Sequence, residues 1–301
     1  MKLALGVDAG GTGSRALLLD QTGVQVGRGD GAAGNPMAGP VAVRTIGATV
    51  RAALRGHDPA RVGFAVVGIA GLSAMADPSV RDAFTAEWRA IGLRCPVRIV
   101  GDAVTAFAAG MPAEERGAVL IAGTGAVAAL VDGLEVLRTA DGHGWLLGDE
   151  GSGVWVGLQA VRSAVRRASA LGTAVLESTG TRTADELIAW ATRQSPGAFA
   201  RLAPLVCTTR DPEAERIVAE AVDRLVATVA ELDHPDGPVV LAGGLLTAGT
   251  PIRAGVLDAL GDRARISGDP VSGAARLARH RTGGVEDHTG GHGAIHGGSV
   301  P

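Results

Sequence analysis

The sequence predicts an α/β protein with mixed sheets, built as two lobes around a cleft. One observation predicts the lobes: an apolar run, a glycine-rich turn and a second apolar run occur at residues 3–20 and again at residues 118–133. Each set is typical of a hairpin of two strands. A second observation predicts the α/β class, because strand and helix patterns alternate between and after these hairpins. The repeated hairpin indicates two lobes of similar topology whose glycine turns face each other.

The composition favours a protein that handles small molecules. The chain has 301 residues, 46% of them hydrophobic and 20% charged, with a formal net charge of -3. Without a basic surface, nucleic acid and anionic membrane surfaces are not expected as partners. No apolar run approaches the roughly 20 residues of a membrane span and no signal-peptide pattern is present, so we expect a cytoplasmic protein. The oligomeric state is left open, with a homodimer as one alternative.

The first lobe is predicted to span residues 1–112. After the first hairpin, RVGFAVVGIAGL at residues 61–72 indicates a strand, and the pattern of residues 79–91 indicates a helix. The strand VRIV at residues 97–100 is followed by a helix that begins near Val104.

The second lobe is predicted to span residues 113–271. Helical patterns follow the second hairpin at residues 154–170, 183–193 and 212–232. The segment PVVLAGGLLTAG at residues 238–249 then indicates a buried strand, a Gly-Gly turn and a helix. This turn is the third glycine turn of the chain.

The C-terminal part of the chain divides into a helix and a tail. The helix predicted for residues 272–280 is expected to return to the first lobe and pack there. Residues 281–301 are rich in glycine and histidine and hold too few apolar groups to offset the entropy of ordering them. This tail is predicted to be disordered.

The three glycine turns are predicted to bind the phosphates of a nucleotide. Glycine lets the backbone approach a polyphosphate and direct its N–H groups inward, and nearby hydroxyls add donors. One such hairpin indicates no more than a tight turn, but its duplication and the third turn favour phosphate binding. A Walker loop or a dinucleotide-binding fold is disfavoured, because the first turn leads into a strand instead of a helix. The predicted ATP-binding residues are Gly10, Gly11, Thr12, Gly13, Ser14, Gly123, Thr124, Gly125, Gly243 and Gly244.

Two aspartates follow apolar strands. Asp8 ends the first strand, where a carboxylate is costly unless it meets solvent, a donor or a cation. A magnesium ion on a triphosphate, held through water, meets this demand; the alternative partner is the amides of the turn. Asp102 follows VRIV, at the carboxyl end of a strand where α/β sheets bind ligands. It is predicted to be the general base for a substrate hydroxyl, with a helix N-cap as the alternative.

A second polar set suits a substrate with hydroxyl or amine groups. Asn35 offers a donor and an acceptor on one side chain, or else serves as a turn residue before proline. In DGHGWLLGDEGSGVW, residues 141–155, the acids are predicted to accept hydrogen bonds from vicinal hydroxyls or an ammonium group. The alternative is a capped helix start with acids at its positive end. The predicted substrate-binding residues are Asn35, Asp102, Gly142, His143, Gly144, Asp149 and Glu150.

The order of these motifs resembles the sugar kinase, Hsp70 and actin superfamily. LGVDAGGTGSRALLLD is similar to its first phosphate motif, LIAGTGAVAALV to its second, VVLAGGLLTAG to its adenosine motif and GAARLA to its closing connection. GDA at residues 101–103 and GWLLGDEGSG at residues 144–153 resemble the branch of N-acetylglucosamine kinases and BadF/BadG/BcrA/BcrD ATPases. The resemblance covers nearly everything except the tail. It implies a two-lobed actin-like ATPase fold, made of duplicated ribonuclease-H-like domains with a cleft between them.

The resemblance also implies an activity. Kinases of this branch transfer the γ-phosphoryl group of ATP, with magnesium, to the 6-hydroxyl of a hexosamine, and the residue matching their base is Asp102. Matched to the family's motifs, the phosphate-contacting residues are Thr12 and Thr124, and the sugar-contacting residues are Asn35, Asp102, Asp149 and the turn at residues 142–144.

Two departures from the branch favour glucosamine over N-acetylglucosamine as the acceptor. N-acetylglucosamine kinases of this branch carry Ser-Asn after Gly-Thr-Gly, where this chain has Ala126 and Val127. His143 stands where a small residue is expected and crowds the amide pocket. Because unacetylated glucosamine is smaller and cationic, a tighter, acid-rich pocket suits it better. The sequence thus resembles actinobacterial glucosamine kinases, with an N-acetylglucosamine kinase or a broader hexosamine kinase as the alternative.

A different class within the branch is the activator ATPase. These proteins use ATP hydrolysis to drive electron transfer through an iron–sulfur cluster at a dimer interface, which requires paired cysteines. This chain has only Cys95 and Cys207, far apart and without metal-type spacing. The activator alternative is therefore disfavoured.

Overall fold

The first of two sheets is formed by the N-terminal strands. Residues 2–11, 13–34, 39–234 and 237–283 are described by the computed structural model of the chain. The strands are β1 (Leu3–Ala9), β2 (Ser14–Leu19), β3 (Gln25–Gly31), β4 (Val62–Ile69) and β5 (Val97–Gly101). Their order is β3-β2-β1-β4-β5, with β1, β2 and β3 antiparallel and β1, β4 and β5 parallel.

The second sheet repeats this topology. Its strands are β6 (Arg116–Ala122), β7 (Ala126–Asp132), β8 (Glu135–Asp141), β9 (Val239–Ala242) and β10 (Ala264–Ile266). The order is β10-β9-β6-β7-β8, with an antiparallel meander from β6 to β8 and parallel pairing of β6, β9 and β10. The predicted pair of similar lobes is confirmed, since both sheets have one strand order and one pattern of directions.

The first sheet carries helices on both faces. The helices in this part of the chain are α1 (Pro40–Ala53), α2 (Pro78–Ile91) and α3 (Asp102–Gly110). Leu5 and Val7 of β1 share a fully buried cluster with Ile46 of α1 and Phe84 of α2. Since side chains alternate along a strand, the intervening positions of β1 face the other side of the sheet.

The second lobe is richer in helices. They are α4 (Gly153–Arg166), α5 (Ala170–Thr179), α6 (Ala184–Ala191), α7 (Pro196–Ala200), α8 (Ala203–Thr208), α9 (Pro212–Ala230), α10 (Gly244–Thr247) and α11 (Pro251–Leu260). The single helix predicted for residues 154–170 is wrong at its end, because α4 stops at Arg166. Ser169 then starts α5 as its N-cap, its hydroxyl accepting the Gly172 N–H at 3.0 Å.

The last described helix, α12 (Pro270–Gly283), packs on the first sheet. A Cβ added at Gly6 would lie 2.1 Å from the backbone nitrogen of Ala275, so the helix sits directly on β1. The helix continues past residue 280, where the predicted tail begins, because Thr282 is buried and donates its hydroxyl to Ala278 O. The rest of the predicted tail, residues 284–301, lies outside the described residues.

Helix α3 lies between the two sheets. Val104 and Phe107 of α3 share a buried cluster with Val119 of β6 and Val240 of β9. The N-terminus of α3 follows directly from β5, so its first residue lies at the carboxyl end of the parallel strands. Both lobes therefore meet at α3, and Asp102 lies where they meet. No helix in the described ranges is long and apolar enough to cross a bilayer.

Candidate active site

The first glycine turn is closed by backbone hydrogen bonds. The Gly10 N–H donates to Gly13 O at 3.0 Å, and the Gly34 N–H donates to Gly10 O at 3.1 Å. The loop after β3 is thereby fixed against the turn. Thr12 and Asn35, predicted for the phosphates and the sugar, lie outside the described residues.

The second and third glycine turns lie side by side. A Cβ added at Gly123 would be 3.8 Å from the nitrogen of Gly244. The second turn also holds the start of α4, since the Gly153 N–H donates to Gly123 O at 2.8 Å and the Val154 N–H to Thr124 O at 3.1 Å. The turn predicted for phosphate and the turn predicted for adenosine thus lie together at the ends of β6 and β9.

Gly243 cannot be replaced without strain. Its φ is 84° and its ψ 158°, a region essentially restricted to glycine, and an added Cβ would lie 2.3 Å from Ala122 O. We expect Gly243→Ala to lower the free energy of unfolding by about 2–4 kcal/mol. Gly244→Ala is the matched control, because nothing lies within 4 Å of its added Cβ. Urea unfolding of both variants checks this, and equal stabilities would contradict it.

Ser14 is hydrogen-bonded through its hydroxyl to neighbouring protein atoms. Its side chain is 1% exposed, donates to Ala32 O at 2.9 Å and shares a 2.7 Å hydrogen bond with Thr49 Oγ1. The hydroxyl therefore joins β2 to α1 and the end of β3. These contacts engage the hydroxyl that was predicted to donate to a phosphate, and the assignment of Ser14 to the ATP site stays a prediction.

Asp8 is a partly buried carboxylate with no hydrogen bond to another described residue. Burial, and next the nearby Asp102 carboxylate, raise the pKa of Asp8 to about 6; the Arg15 guanidinium opposes this shift and Asp269 adds to it. Because the carboxylate is poorly solvated and lies beside another acid, a nearby cation would stabilise its ionised form. Among the described residues of the first turn, no amide donates to this carboxylate.

Asp102 begins α3 but does not cap it. The N-cap is Gly101, and no side chain caps this helix, so the alternative role of Asp102 as an N-cap is wrong. Burial raises the pKa of Asp102 to about 6, while the amides of Asp102 and Ala103 act in the opposite direction. A carboxyl group with this pKa, near its operating pH, is suited to accept a proton.

The first turn of α3 is anchored from two sides. The buried Thr105 hydroxyl donates to Asp102 O at 2.9 Å, and a Cβ on Gly68 of β4 would lie 2.6 Å from the Thr105 side chain. On the other side, a Cβ on Gly273 of α12 would lie 2.1 Å from Thr105 O. Close packing against two glycines thus sets the position of Asp102.

Asp149 faces the second glycine turn. Its backbone is left-handed, with φ 57°, and its Oδ1 accepts the Ala126 N–H at 3.2 Å. A Cβ at Gly125 would lie 2.8 Å from Asp149 Oδ2. Burial raises the pKa of Asp149, and the Ala126 N–H partly offsets this. The carboxylate therefore joins the GDEG segment to the second glycine turn.

Asp141 was missed by sequence reasoning. Its Oδ1 accepts the Asp149 N–H and its Oδ2 the Glu150 N–H, both at 2.7 Å. Its own backbone is left-handed, with φ 59°, and Gly148 leaves room for its carboxylate. One carboxylate thus fixes two successive amides and orients Asp149. The available signal was the Asp141-Gly142 pair at the end of a strand, which is also typical of a simple turn.

The remaining residues of this segment differ in exposure and partners. Glu150 Oε2 accepts from Arg224 Nη1 of α9 at 2.7 Å, so its carboxylate is engaged by a cation instead of facing free space. His143, with Gly142 and Gly144, lies on an exposed loop where both glycines have positive φ. Trp145 stacks on Phe199, with ring centroids 6.4 Å apart. Among the predicted sugar residues that the structure describes, Asp149 is held against the second glycine turn.

A comparison with models of protein families identifies the family of this chain. The model for the BadF/BadG/BcrA/BcrD ATPase family matches residues 5–264, most of the chain. The chain belongs to the BadF/BadG/BcrA/BcrD ATPase family. The resemblance stated from the motifs is confirmed by this match. The matched residues include all three glycine turns, Asp8, Asp102 and the GDEG segment.

Relatives within this ATPase fold are named as sugar kinases. An N-acetyl-D-glucosamine kinase of Dictyostelium discoideum is 25% identical over 224 residues, which cover 68% of this chain and 70% of the relative. A candidate N-acetylglucosamine kinase of Chromobacterium violaceum has a similar structure, with a TM-score of 0.77 and 27% identity over 92% of this chain and 99% of the other. Another candidate N-acetylglucosamine kinase, from Porphyromonas gingivalis, has a TM-score of 0.73 and 22% identity over 93% of this chain and 99% of the other. The predicted two-lobed actin-like fold is confirmed.

Proposed function

We propose that this protein is an ATP-dependent hexosamine kinase that phosphorylates the 6-hydroxyl of D-glucosamine. The observation that carries the proposal is the position of Asp102, a poorly solvated carboxylate at the junction of the lobes, beside Asp8 at the end of β1. The family and the names of its relatives support phosphoryl transfer to a hexosamine.

Asp102 acts as the general base. With its pKa near 6 it is mostly ionised at neutral pH and accepts the proton of the sugar hydroxyl as the oxygen attacks the γ-phosphorus. Because phosphoryl transfer depends mainly on alignment and charge neutralisation, the base supplies only part of the rate. The hydrogen bond from the Thr105 hydroxyl to Asp102 O holds the first turn of α3, from which the Asp102 carboxylate projects.

The glycine turns bind the nucleotide, and Asp8 holds its metal. Among the described residues no three His, Cys, Asp or Glu side chains are grouped closely enough to hold a metal ion alone. The site therefore fits a magnesium ion that keeps water and phosphate oxygens as ligands, with the Asp8 carboxylate beside them. Bound there, magnesium would neutralise charge that develops on the transferring phosphoryl group.

The sugar is held by the GDEG segment and the loop after the first hairpin. Asp149, oriented by Asp141, accepts from ring hydroxyls, and Asn35 and the backbone at residues 142–144 complete the contacts. Glucosamine is favoured because Ala126 and Val127 offer no polar side chains to an acetamido group, while the segment is acidic. N-acetylglucosamine is the alternative acceptor, and the names of the relatives favour it.

A substrate panel tests the proposal. ADP release is measured with glucosamine, N-acetylglucosamine, glucose and mannose, each at several concentrations. We expect kcat/KM to be at least about 10-fold higher for glucosamine than for N-acetylglucosamine, the usual scale for discrimination by one pocket contact. Strong turnover of the acetylated sugar without turnover of glucosamine would reverse the assignment of the acceptor. No turnover of any sugar would reject the kinase.

A variant separates the two candidate acceptors further. His143→Gly removes the side chain that is proposed to crowd the acetamido group, so it should raise turnover of N-acetylglucosamine relative to glucosamine. His57→Gly is the control, since His57 lies on the first lobe and contacts Val26 O at 2.9 Å. A His143 variant with unchanged preference would show that the acetyl group is excluded elsewhere.

The activator-type ATPase is the competing function. Cys95 packs against the core of the first lobe and Cys207 against the core of the second, and burial raises the pKa of both thiols. Their separation supports the kinase. Iron and a brown colour in the purified protein would support the activator.

A further inference from the structure

The candidate cleft contains acids but few cations. Asp8 and Asp102 face each other closely enough for one to raise the pKa of the other, and Asp269 acts on Asp8 in the same sense. None of the glycine turns carries a lysine or arginine. A triphosphate stays anionic even with one magnesium ion, so its binding among these carboxylates calls for a cationic side chain.

Arg15 is placed to supply this charge. It is the second residue after Gly13 and lies directly opposite Asp8 in the register of β1 and β2. Leu17, two residues further along β2, faces α12, so Arg15 points to the same side of the sheet as Asp8. Its side chain is 48% exposed, which leaves it free to move.

The ion pair between Asp269 and Arg15 is weak enough to break when Arg15 binds another anion. Arg15 Nη1 lies 3.3 Å from Asp269 Oδ1, an exposed pair of the kind that contributes little to stability. The other oxygen of Asp269 lies 3.5 Å from Arg28 Nη2, and Arg28 also pairs with Asp30. If Arg15 leaves, Asp269 therefore keeps a cationic partner, which makes the exchange of partners easy.

The position of Asp269 connects this pair to both lobes. It stands between β10, in the second sheet, and α12, which packs on the first. Ser267, also in this connection, donates its hydroxyl to Ala106 O of α3 at 2.9 Å. The pair thus joins the segment that links the lobes to the strand that follows the first glycine turn.

We propose that Arg15 binds the phosphates of the nucleotide, and that Asp269 holds Arg15 in the cleft until the nucleotide takes its place. A guanidinium can bind phosphate oxygens with two parallel hydrogen bonds, which a surface carboxylate at 3.3 Å from one nitrogen does not match. The inference rests on the proposed use of ATP, but it does not depend on which sugar is accepted.

Calorimetric titration in the absence of sugar tests this role. Wild-type protein and the variants Arg15→Ala, Arg15→Lys and Arg28→Ala are titrated with ATP plus magnesium, and with adenosine. We expect Arg15→Ala to weaken ATP binding by about 10-fold or more while adenosine binding stays unchanged, because adenosine has no phosphates. Arg15→Lys should recover part of the loss. Arg28→Ala removes the second partner of Asp269, one strand further out, but no proposed phosphate ligand, so it should weaken ATP binding much less than Arg15→Ala does.

Three results would overturn the role of Arg15. The first is unchanged ATP binding in Arg15→Ala, and the second is a loss of adenosine binding in that variant as large as its loss of ATP binding. The third is a loss of ATP binding in Arg28→Ala as large as in Arg15→Ala, which would show that the ion pairs around Asp269 act by maintaining the local structure. Thermal unfolding midpoints of all variants identify any that fail to fold, and Arg15→Lys then carries the test. If the wild type binds ATP and phosphorylates no hexosamine, the proposed acceptor fails while the role of Arg15 stands.

Discussion

Asp102→Asn is expected to lower kcat by about 10²-fold or more while the KM for sugar and nucleotide change little. The amide has nearly the same shape as the carboxylate but cannot accept the proton of the attacking hydroxyl. Steady-state kinetics with the best sugar of the panel measure the loss. In the wild type, activity should fall as the pH drops below about 6, where the carboxyl becomes protonated. Unchanged kcat would leave Asp102 with no role in proton transfer.

The same variant should be more stable than the wild type. The pKa of Asp102 is raised from 3.8 to about 6 in the folded protein, so its contribution to stability is full below pH 4 and is lost as the pH rises through about 6. A tenfold change in proton affinity corresponds to about 1.4 kcal/mol, so at pH 7.5 the ionised carboxylate costs about 1–3 kcal/mol. The asparagine avoids this cost. Urea unfolding at pH 4 and pH 7.5, without magnesium, should show the gain mainly at the higher pH.

A stability gain at pH 7.5 together with a loss of rate would show that Asp102 is held in an unfavourable site because the reaction needs it there. A variant that is both less stable and less active would instead indicate a structural role. The two measurements thus separate the general base from a residue that merely holds α3 in place.

Asp8→Asn is expected to raise the magnesium concentration for half-maximal activity by about 10-fold or more, and to lower kcat by about 10²-fold. The carboxylate is poorly solvated and lies beside Asp102, so a cation stabilises its ionised form, and the neutral amide gives up this attraction. A magnesium titration at saturating ATP measures the shift. Asp20→Asn is the matched control, because Asp20 lies at the other end of the same hairpin and accepts from the Thr22 and Val24 amides.

An unchanged magnesium requirement in Asp8→Asn would place the metal elsewhere. A shift of equal size in Asp20→Asn would assign the effect to the stability of the hairpin. A loss of rate without a shift in the magnesium requirement would leave Asp8 as a residue that orients phosphate instead of metal.

The architecture could be predicted because its signals are local. Glycine turns between apolar runs specify hairpins, and their recurrence after more than a hundred residues specifies the repeat. The predicted end of α4 was wrong because the helical pattern of the sequence continues through Ser169, which in the structure is the N-cap of the next helix. The positions of Asp8 and Asp102 at strand ends followed from the same local patterns.

Apart from Asp141, whose partners are 8 and 9 residues away, the features of the site that sequence reasoning missed depend on distant partners. The Ser14 hydroxyl is hydrogen-bonded to Thr49, 35 residues away, and the Glu150 carboxylate to Arg224, 74 residues away. The Arg15–Asp269 pair joins residues 254 apart. No periodicity or local composition reports such contacts, because they arise only when the sheets and helices have packed.

The packing of α12 on β1 affects the order in which the chain can fold during synthesis. All five strands of the second sheet lie between Arg116 and Ile266, so this lobe is complete once that stretch has left the ribosome. The first sheet is made earlier, yet the part of its face around Gly6 is covered by Ala274 and Ala275, which follow the whole second sheet in the chain. The lobe that is synthesised first therefore finishes folding last, and in the meantime its exposed face is the surface that a chaperone would protect.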